Sequence, residues 1–193
     1  MDYYLLSDDG VLVEEFVRAP DQSTVALRGA VWRRADARWA AASGLALRAD
    51  PESLARLTPT DREGAETAYR RLGGGSLPDE AALRSVAGHE PLPIAAPLRL
   101  GPVEAPDGFH ERRVYRVLFA KDLDAAPGTS HSRRIGDDLV RWTLRRVGGI
   151  AWGLDVTVLL ATDADDIVGP VLRELTDTAR RQGLVPVTTE RFT

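Results

Sequence analysis

The feature that most constrains the fold is the order of apolar patterns in the C-terminal part of the chain. Apolar runs typical of strands cover 114–120, 154–161 and 184–192, and two patterns with helical periodicity, 135–147 and 167–182, lie between them. This order is typical of an α/β or split βαβ unit. We therefore predict a β-α-β-α-β unit here. The pattern leaves strand order open between a parallel sheet and a ferredoxin-like or otherwise antiparallel arrangement.

Two prolines bear on this unit. Pro186 lies in the last apolar run, and since proline cannot donate to a β-ladder, that strand is predicted at a sheet edge or at a strand end. Pro170 interrupts the second helical pattern. The helix either begins near Gly169, with Pro170 in its first position, or begins at a Thr162 cap and is kinked at Pro170.

The N-terminal part has hairpin patterns. A Ser-Asp-Asp-Gly turn at 7–10 separates two β-forming runs, and a second pair of runs, 24–32 and 38–42, follows. Trp32 and Trp39 are predicted core residues of this sheet. Two helical segments come next. The first has a capping box at 60–63, ends at Leu72 and is followed by three glycines, and the second begins near Ser76.

Proline density marks a connector between the two parts. Five of the twelve prolines lie in 91–106, which excludes a helix or a central strand and favours a stiff extended segment, with an edge strand expected near 98–100. We predict a β-rich part with two helices over 1–88, a connector over 89–108 and an α/β part over 109–193. The overall class is α+β or α/β.

Composition excludes several kinds of site. At 193 residues, 44% hydrophobic and 28% charged, the chain can bury a core without disulfides or metals. Because it contains no cysteine, disulfides, thiolate nucleophiles and iron–sulfur clusters are excluded, and its three histidines lack metal-ligand spacing. No metal or cofactor is predicted. No apolar run approaches the ~18 residues that span a bilayer. No membrane association and a cytoplasmic location are therefore expected.

The basic residues are 24 arginines and one lysine, Lys121. Arginine codons are GC-rich, so this bias indicates a high-GC, bacterial genome more than selection for arginine chemistry. A net charge of −4 disfavours nucleic acid as a partner. The remaining hypothesis for nucleic-acid binding requires five arginines to share one face: Arg112, Arg113, Arg116, Arg133 and Arg134.

The candidate ligand-binding segment is 128–134, which precedes the first predicted helix of the C-terminal part. Hydroxyls, an imidazole and two guanidiniums crowd together at this expected helix N-terminus, where free N–H groups favour anions. We predict that a phosphate or carboxylate binds here through Thr129, Ser130, His131, Ser132, Arg133 and Arg134. The alternative is a polar surface loop.

Two other groups of residues could carry chemistry. Asp122 or Asp124 could pair with His131 and activate Ser130 or Ser132, although no nucleophile-elbow motif supports hydrolase chemistry. The acids Asp163, Asp165 and Asp166 could ligate a divalent cation, but acids at a helix start usually serve as caps.

Because no dense catalytic constellation or cofactor motif is present, the leading hypothesis is a non-catalytic protein-binding role, as in an adaptor, regulator or immunity-type protein. The expected partner is a protein. The alternative is an enzyme or small-molecule sensor that binds an anionic small molecule at 128–134.

Overall fold

The structure is a computed structural model that describes residues 1–92, 101–102, 104–123, 128, 130–149 and 151–192. Within these residues the chain forms eleven strands in two antiparallel sheets, together with five helices. The predicted α+β class is confirmed. No helix in this part of the chain combines the length and hydropathy of a membrane-spanning segment.

Sheet A is built from the N-terminal hairpins. Its strands are β1 (Asp2–Leu6), β2 (Gly10–Arg18), β3 (Thr24–Arg33), β4 (Arg38–Ala41), β5 (Leu57–Thr60) and β6 (Gly88–Pro91). Their order is β4-β3-β2-β1-β5, and β6 also pairs with β3. The antiparallel β1–β2 and β3–β4 pairs confirm both predicted hairpins.

Four short helices accompany sheet A: α1 (Gly44–Ala49), α2 (Pro51–Arg56), α3 (Arg62–Arg71) and α4 (Glu80–Val86). The two predicted helices correspond to α3 and α4. The cap of α3 is Asp61, whose Oδ1 accepts a 2.8 Å hydrogen bond from the Gly64 N–H, so the predicted Thr60 cap is wrong by one residue. Thr60 instead ends β5, since its backbone pairs with β1.

Sheet B forms the C-terminal part. Its strands are β7 (Glu111–Ala120), β8 (His131–Ile135), β9 (Asp138–Val147), β10 (Ala151–Leu160) and β11 (Val185–Phe192), in the order β11-β7-β10-β9-β8. Helix α5 (Val168–Arg181) connects β10 to β11, so a β-α-β arrangement is present. Pro170 lies in the first turn of α5, which begins at Val168, so the predicted start near Gly169 is confirmed to within one residue and the alternative Thr162 cap is wrong. Pro186 lies in edge strand β11 beside a bulge, as predicted.

The predicted helix over 135–147 is wrong, because this segment is part of a hairpin of β8 and β9. Ile135 pairs with Asp138 across a two-residue turn whose first residue, Gly136, has φ +60°. Glycine at the first turn position with positive φ is typical of a type II′ hairpin turn. The apolar residues Val140, Trp142 and Leu144 also fit a period of two, and they face the core on one side of β9.

The proline-rich connector is described only in part. Its beginning extends β6, which pairs antiparallel with β3 from Gly88 to Pro91. The edge strand expected near 98–100 lies outside the described residues. The three-part division of the chain stays a prediction.

Three clusters of buried side chains form the core. One lies between sheet B and α5, and a second, which includes Trp32 and has Trp39 packed against it, lies between sheet A and helices α3 and α4. The third joins the two sheets, since Val185 of β11 packs among four residues of sheet A: Tyr4, Leu6, Leu12 and Leu57. Trp32 is therefore a core residue, as predicted, whereas Trp39 is partly buried at the edge of the cluster.

Candidate functional site

The predicted ligand-binding segment does not lie at a helix N-terminus. His131, Ser132, Arg133 and Arg134 form edge strand β8, Ser130 directly precedes it, and Thr129 lies outside the described residues. The argument from free helix N–H groups and the helix dipole therefore does not apply. Ligand binding by these side chains stays a prediction that rests on the side chains alone.

Most of these side chains contact other protein groups. The His131 ring stacks on Trp142, with centroids 5.5 Å apart, and Ser130 Oγ lies 2.9 Å from Thr143 Oγ1. Arg133 donates two 2.8 Å hydrogen bonds to the Glu174 carboxylate. Arg134 donates to a backbone carbonyl in the turn. Because successive strand residues point to opposite faces, Arg133 and Arg134 do not converge on one site.

The geometry does not support the predicted acid–histidine–serine arrangement or the predicted cation site. The Asp122 carboxylate accepts hydrogen bonds from Trp152 Nε1 (2.9 Å) and from Arg146 (2.7 Å), contacts that lower the pKa of Asp122 and involve neither His131 nor a serine. Asp124 is outside the described residues. Among the residues that are described, no group of three acidic or histidine side chains is placed to hold a metal ion.

The arginines proposed for nucleic-acid binding do not share one face. Arg113 and Arg116 lie on opposite faces of β7, since they are an odd number of residues apart. Arg116 binds Asp155, whereas Arg113 binds Asp165. The condition on which that hypothesis depends is not met.

A large concavity lies elsewhere, at the end of sheet A beside α5. This cleft has a volume of about 980 Å³. It is lined by the start of β1, the end of β2, residues 59–62 at the β5–α3 junction, residues of α4 and residues of α5 from Arg173 to Arg181. Six of its lining residues are arginines: Arg18, Arg62, Arg84, Arg173, Arg180 and Arg181. We call it the arginine cleft.

The amphipathic pattern of α5 places several of these charges. Its apolar residues Val171, Leu172 and Leu175 pack against sheet B. Arg173, Thr176, Asp177, Arg180 and Arg181 line the cleft. These residues are spaced three, four, seven and eight positions from Arg173, which places them on one side of a helix. The same periodicity that buries α5 therefore directs its guanidiniums into the cleft.

Two of the arginines are paired with carboxylates. Arg180 lies 3.3 Å from both Asp2 and Asp177. Arg84 lies 2.7 Å from Glu15 and 3.1 Å from Glu80. The hydrogen bond from Arg84 lowers the pKa of Glu15, whereas burial raises the pKa of Asp2 against the opposing effect of Arg180.

The other four arginines have no carboxylate oxygen of a described residue within 4.0 Å. Arg18 donates to the Gln22 carbonyl (3.2 Å) and to a threonine hydroxyl of β11. Arg62 donates to the Tyr3 hydroxyl and to the Pro78 carbonyl, each at 2.9 Å. Arg181 donates to Thr178 Oγ1. These guanidiniums keep N–H donors and a full charge available to an acidic group.

The pKa of Arg18 shows how burial affects one of these guanidiniums. It extends from the end of β2 into the cleft, and burial lowers its pKa, since no carboxylate in the described part of the chain contacts it and compensates the desolvation. The more distant carboxylate of Asp2 opposes this shift, and the charge of Arg173 adds to it. The cleft therefore contains a partly buried cation that an acidic ligand would stabilise.

The carboxylates that line the cleft are already engaged. Asp2 and Asp177 bind Arg180, and Glu15 and Glu80 bind Arg84. The remaining two are Glu14, which binds Arg48 outside the cleft, and Asp61, which caps α3. The lining also presents apolar surface from Tyr3, Phe16 and Pro59. The arrangement is suited to recognising a ligand with both acidic and apolar groups.

Comparison with known proteins adds no assignment: no family model, curated protein or solved structure matches this chain. The functional argument therefore rests on the geometry of the chain itself.

Proposed function

We propose that this protein is a non-catalytic binding protein, an adaptor or regulator, that holds an acidic segment of a partner protein in the arginine cleft. The observation that carries the proposal is a set of four arginines with no carboxylate partner among the described residues: Arg18, Arg62, Arg173 and Arg181. Guanidinium groups recognise carboxylates through paired N–H donors. The proposed setting is the bacterial cytoplasm.

The character of the lining favours a polypeptide over a compact ligand. Pockets for small molecules are lined mainly by apolar and aromatic side chains with few polar groups. In the arginine cleft, by contrast, most lining residues are charged, and they include residues of both sheet A and α5. Arginine and aromatic residues are enriched at protein interfaces, and this lining offers both. An extended acidic chain with a few apolar side chains fits this surface.

The state of the carboxylates supports a non-catalytic role. A general base needs a carboxylate or imidazole that is available to take a proton. Every acidic side chain that lines the cleft accepts a hydrogen bond or forms an ion pair with another protein group, and the described lining contains no histidine, lysine or serine. The lining is therefore suited to binding a ligand through its arginines.

The test is fluorescence anisotropy with two labelled peptides of equal length, one of glutamate and phenylalanine and one of lysine and phenylalanine. We expect the acidic peptide alone to bind, and binding to weaken as salt is raised. In the Arg173→Ala/Arg181→Ala variant, affinity should fall about tenfold or more, since each charge-assisted hydrogen bond is worth about 1.5–3 kcal/mol.

The matched control is Arg34→Ala/Arg38→Ala, which removes two exposed arginines that do not line the cleft. It changes net charge by the same amount and should retain the affinity of the unmodified protein. Equal binding of both peptides, or an equal loss in the cleft and control variants, would overturn the proposal.

A further inference from the structure

A second concavity, of about 360 Å³, lies on sheet B and is separate from the arginine cleft. The face of sheet B that packs on α5 carries Val140, Leu154 and Val156. Because side chains alternate along a strand, the intervening residues of β9 and β10 point to the opposite face. The polar side chains of that face that line the concavity are Arg141, Thr143, Asp155 and Thr157.

Strand register brings these groups together in two rows. In the first row, Arg141 of β9 lies directly between Ser132 of β8 and Thr157 of β10. In the second, Thr143 lies opposite Asp155, and Ser130 Oγ is 2.9 Å from Thr143 Oγ1. Four hydroxyls therefore share this face with Arg141 and line the same concavity.

The charge balance of this face is positive. Asp155 accepts hydrogen bonds from Arg116 at 2.6 and 3.1 Å and from Arg145 at 2.7 Å, so its carboxylate is neutralised by neighbours on both sides. Arg141 has no carboxylate oxygen of a described residue within 4.0 Å. With Glu190, which lies opposite Arg116 in β11, these three arginines and two carboxylates leave a formal charge of +1 on this part of the face.

We propose that this concavity binds the phosphate group of a small molecule. Arg141 supplies the paired N–H donors, and the hydroxyls of Ser132, Thr143 and Thr157 donate to the remaining oxygens. A phosphate group offers three strong acceptor oxygens, whereas a carboxylate offers two, so phosphate suits a donor set of one guanidinium and several hydroxyls better. The site goes beyond the proposed function, because it shares no residue with the arginine cleft.

His131 and Trp142 also belong to the lining, although their stacked rings lie on the α5 face; Trp142 lies between Arg141 and Thr143 in β9 and provides an optical readout. Inorganic phosphate is the probe, titrated against chloride of matched ionic strength while tryptophan fluorescence and thermal stability are followed. We expect saturable, phosphate-specific quenching that is absent from a Trp142→Phe variant, because the other tryptophans do not line the site. Phosphate should also raise the melting temperature.

Arg141→Gln should weaken phosphate binding about tenfold or more, since it removes the only guanidinium that lines the concavity in the described structure, and Thr157→Val should weaken it severalfold. Arg34→Gln, at an exposed site in the β3–β4 turn, is the charge-matched control and should bind normally. Should Arg141→Gln fail to fold, Arg141→Lys keeps the charge but loses the planar fork, and intermediate affinity is expected.

Phosphate binding that survives Arg141→Gln, or a response no different from that of chloride, would overturn the assignment. If acetate bound as tightly as phosphate, the site would not be specific for phosphate groups and the proposal would be wrong. Loss of phosphate binding in Arg173→Ala/Arg181→Ala, with retention in Arg141→Gln, would place the anion in the arginine cleft instead. Because the two sites share no residue, failure of the peptide experiment leaves this one unaffected.

Discussion

At the scale of single residues, the most consequential pair is Glu14 with Arg48. Both side chains are almost fully buried, at 0% and 4% exposure, and the guanidinium donates to both carboxylate oxygens at 2.8 and 2.7 Å. Arg48 Nε also donates to the Pro186 carbonyl at 2.8 Å, which ties α1 to β11. The side-chain hydrogen bonds of the charged groups therefore stay within the protein, at the junction of the two sheets.

Glu14→Gln is expected to lower the free energy of unfolding by about 3–5 kcal/mol, because it leaves the Arg48 charge buried without a counter-charge. Urea denaturation followed by circular dichroism measures this. Glu15→Gln, at a half-exposed pair in the same strand, is the control and should cost much less. A double Glu14→Leu/Arg48→Met variant should recover much of the loss. Equal costs for the two single variants would contradict this account.

The change in the free energy of unfolding at low pH should reflect the pKa values of individual carboxylates. Hydrogen bonds from Arg84 and Arg113 lower the pKa values of Glu15 and Glu111 in the folded state. Their stabilising contribution is present above the pKa of the unfolded side chain, about 4.3, and is lost as pH falls through the lower folded value. We therefore expect the free energy of unfolding to decrease on acidification below about pH 4.3.

For Asp2, the contribution to the free energy of unfolding depends on pH in the opposite direction. Burial raises its folded pKa, so its contribution is favourable below the unfolded pKa and is lost as pH rises through the folded value. In urea denaturation repeated from pH 7 to pH 3, Glu15→Gln should show a shallower loss than the unmodified protein, and Asp2→Asn a steeper one. Parallel profiles for all three proteins would refute the assignment.

At the scale of elements, the β8–β9 hairpin shows where sequence patterns were ambiguous. The apolar residues of 135–147 fit both a helical arc and the alternation of a strand, and the charged residues between them suit either. The decisive local signal is Gly136-Asp137, which joins two β-forming runs. By contrast, α5 has a longer helical repeat and ends before Gly183, whose φ is +97°. Its pattern therefore predicted a helix, and only the position of its first residue was open.

Gly136→Ala should therefore destabilise the hairpin by about 1 kcal/mol or more, since an L-residue with a side chain is strained at φ +60°. Thermal denaturation measures the loss. Asp137→Ala is the matched control, because Asp137 is not among the residues with positive φ, and it should cost less. A negligible effect of Gly136→Ala would mean that the turn adopts another conformation.

At the scale of the whole molecule, sheets A and B are joined by both apolar and polar contacts. Val185 of β11 belongs to a core cluster whose other buried members come from sheet A. The Thr189 N–H donates to Thr24 Oγ1 at 3.0 Å, and Arg180 of α5 donates to the Tyr3 carbonyl at 3.2 Å. The arginine cleft forms at the same junction, so its geometry depends on how the two sheets pack.

We expect the two sheets to unfold in one cooperative transition, since neither can leave without exposing the shared core. Two tryptophans report on each sheet: Trp32 and Trp39 on sheet A, Trp142 and Trp152 on sheet B. In each variant that keeps only one pair, the urea midpoint measured by tryptophan fluorescence should equal the midpoint measured by circular dichroism. Separate transitions within one variant would show that the sheets unfold independently.

The sequence by itself determined the local elements whose physical cause is local. Alternation and a turn motif specify the first hairpins, amphipathic periodicity specifies α5, and a proline places β11 at an edge. It also identified Trp32 as a core residue. The candidate residues Ser130, His131 and Ser132 do border a concavity, although the helix expected beside them is absent.

Only the tertiary structure decided which charges meet. Glu14 has the same local pattern as Glu15, yet one is buried against Arg48 and the other faces Arg84. Arg18 and Arg173 are distant in sequence and border one cleft only because β2 and α5 are brought together. Periodicity determines which face of an element is polar, but the pairing of polar faces depends on long-range packing, which no local pattern encodes.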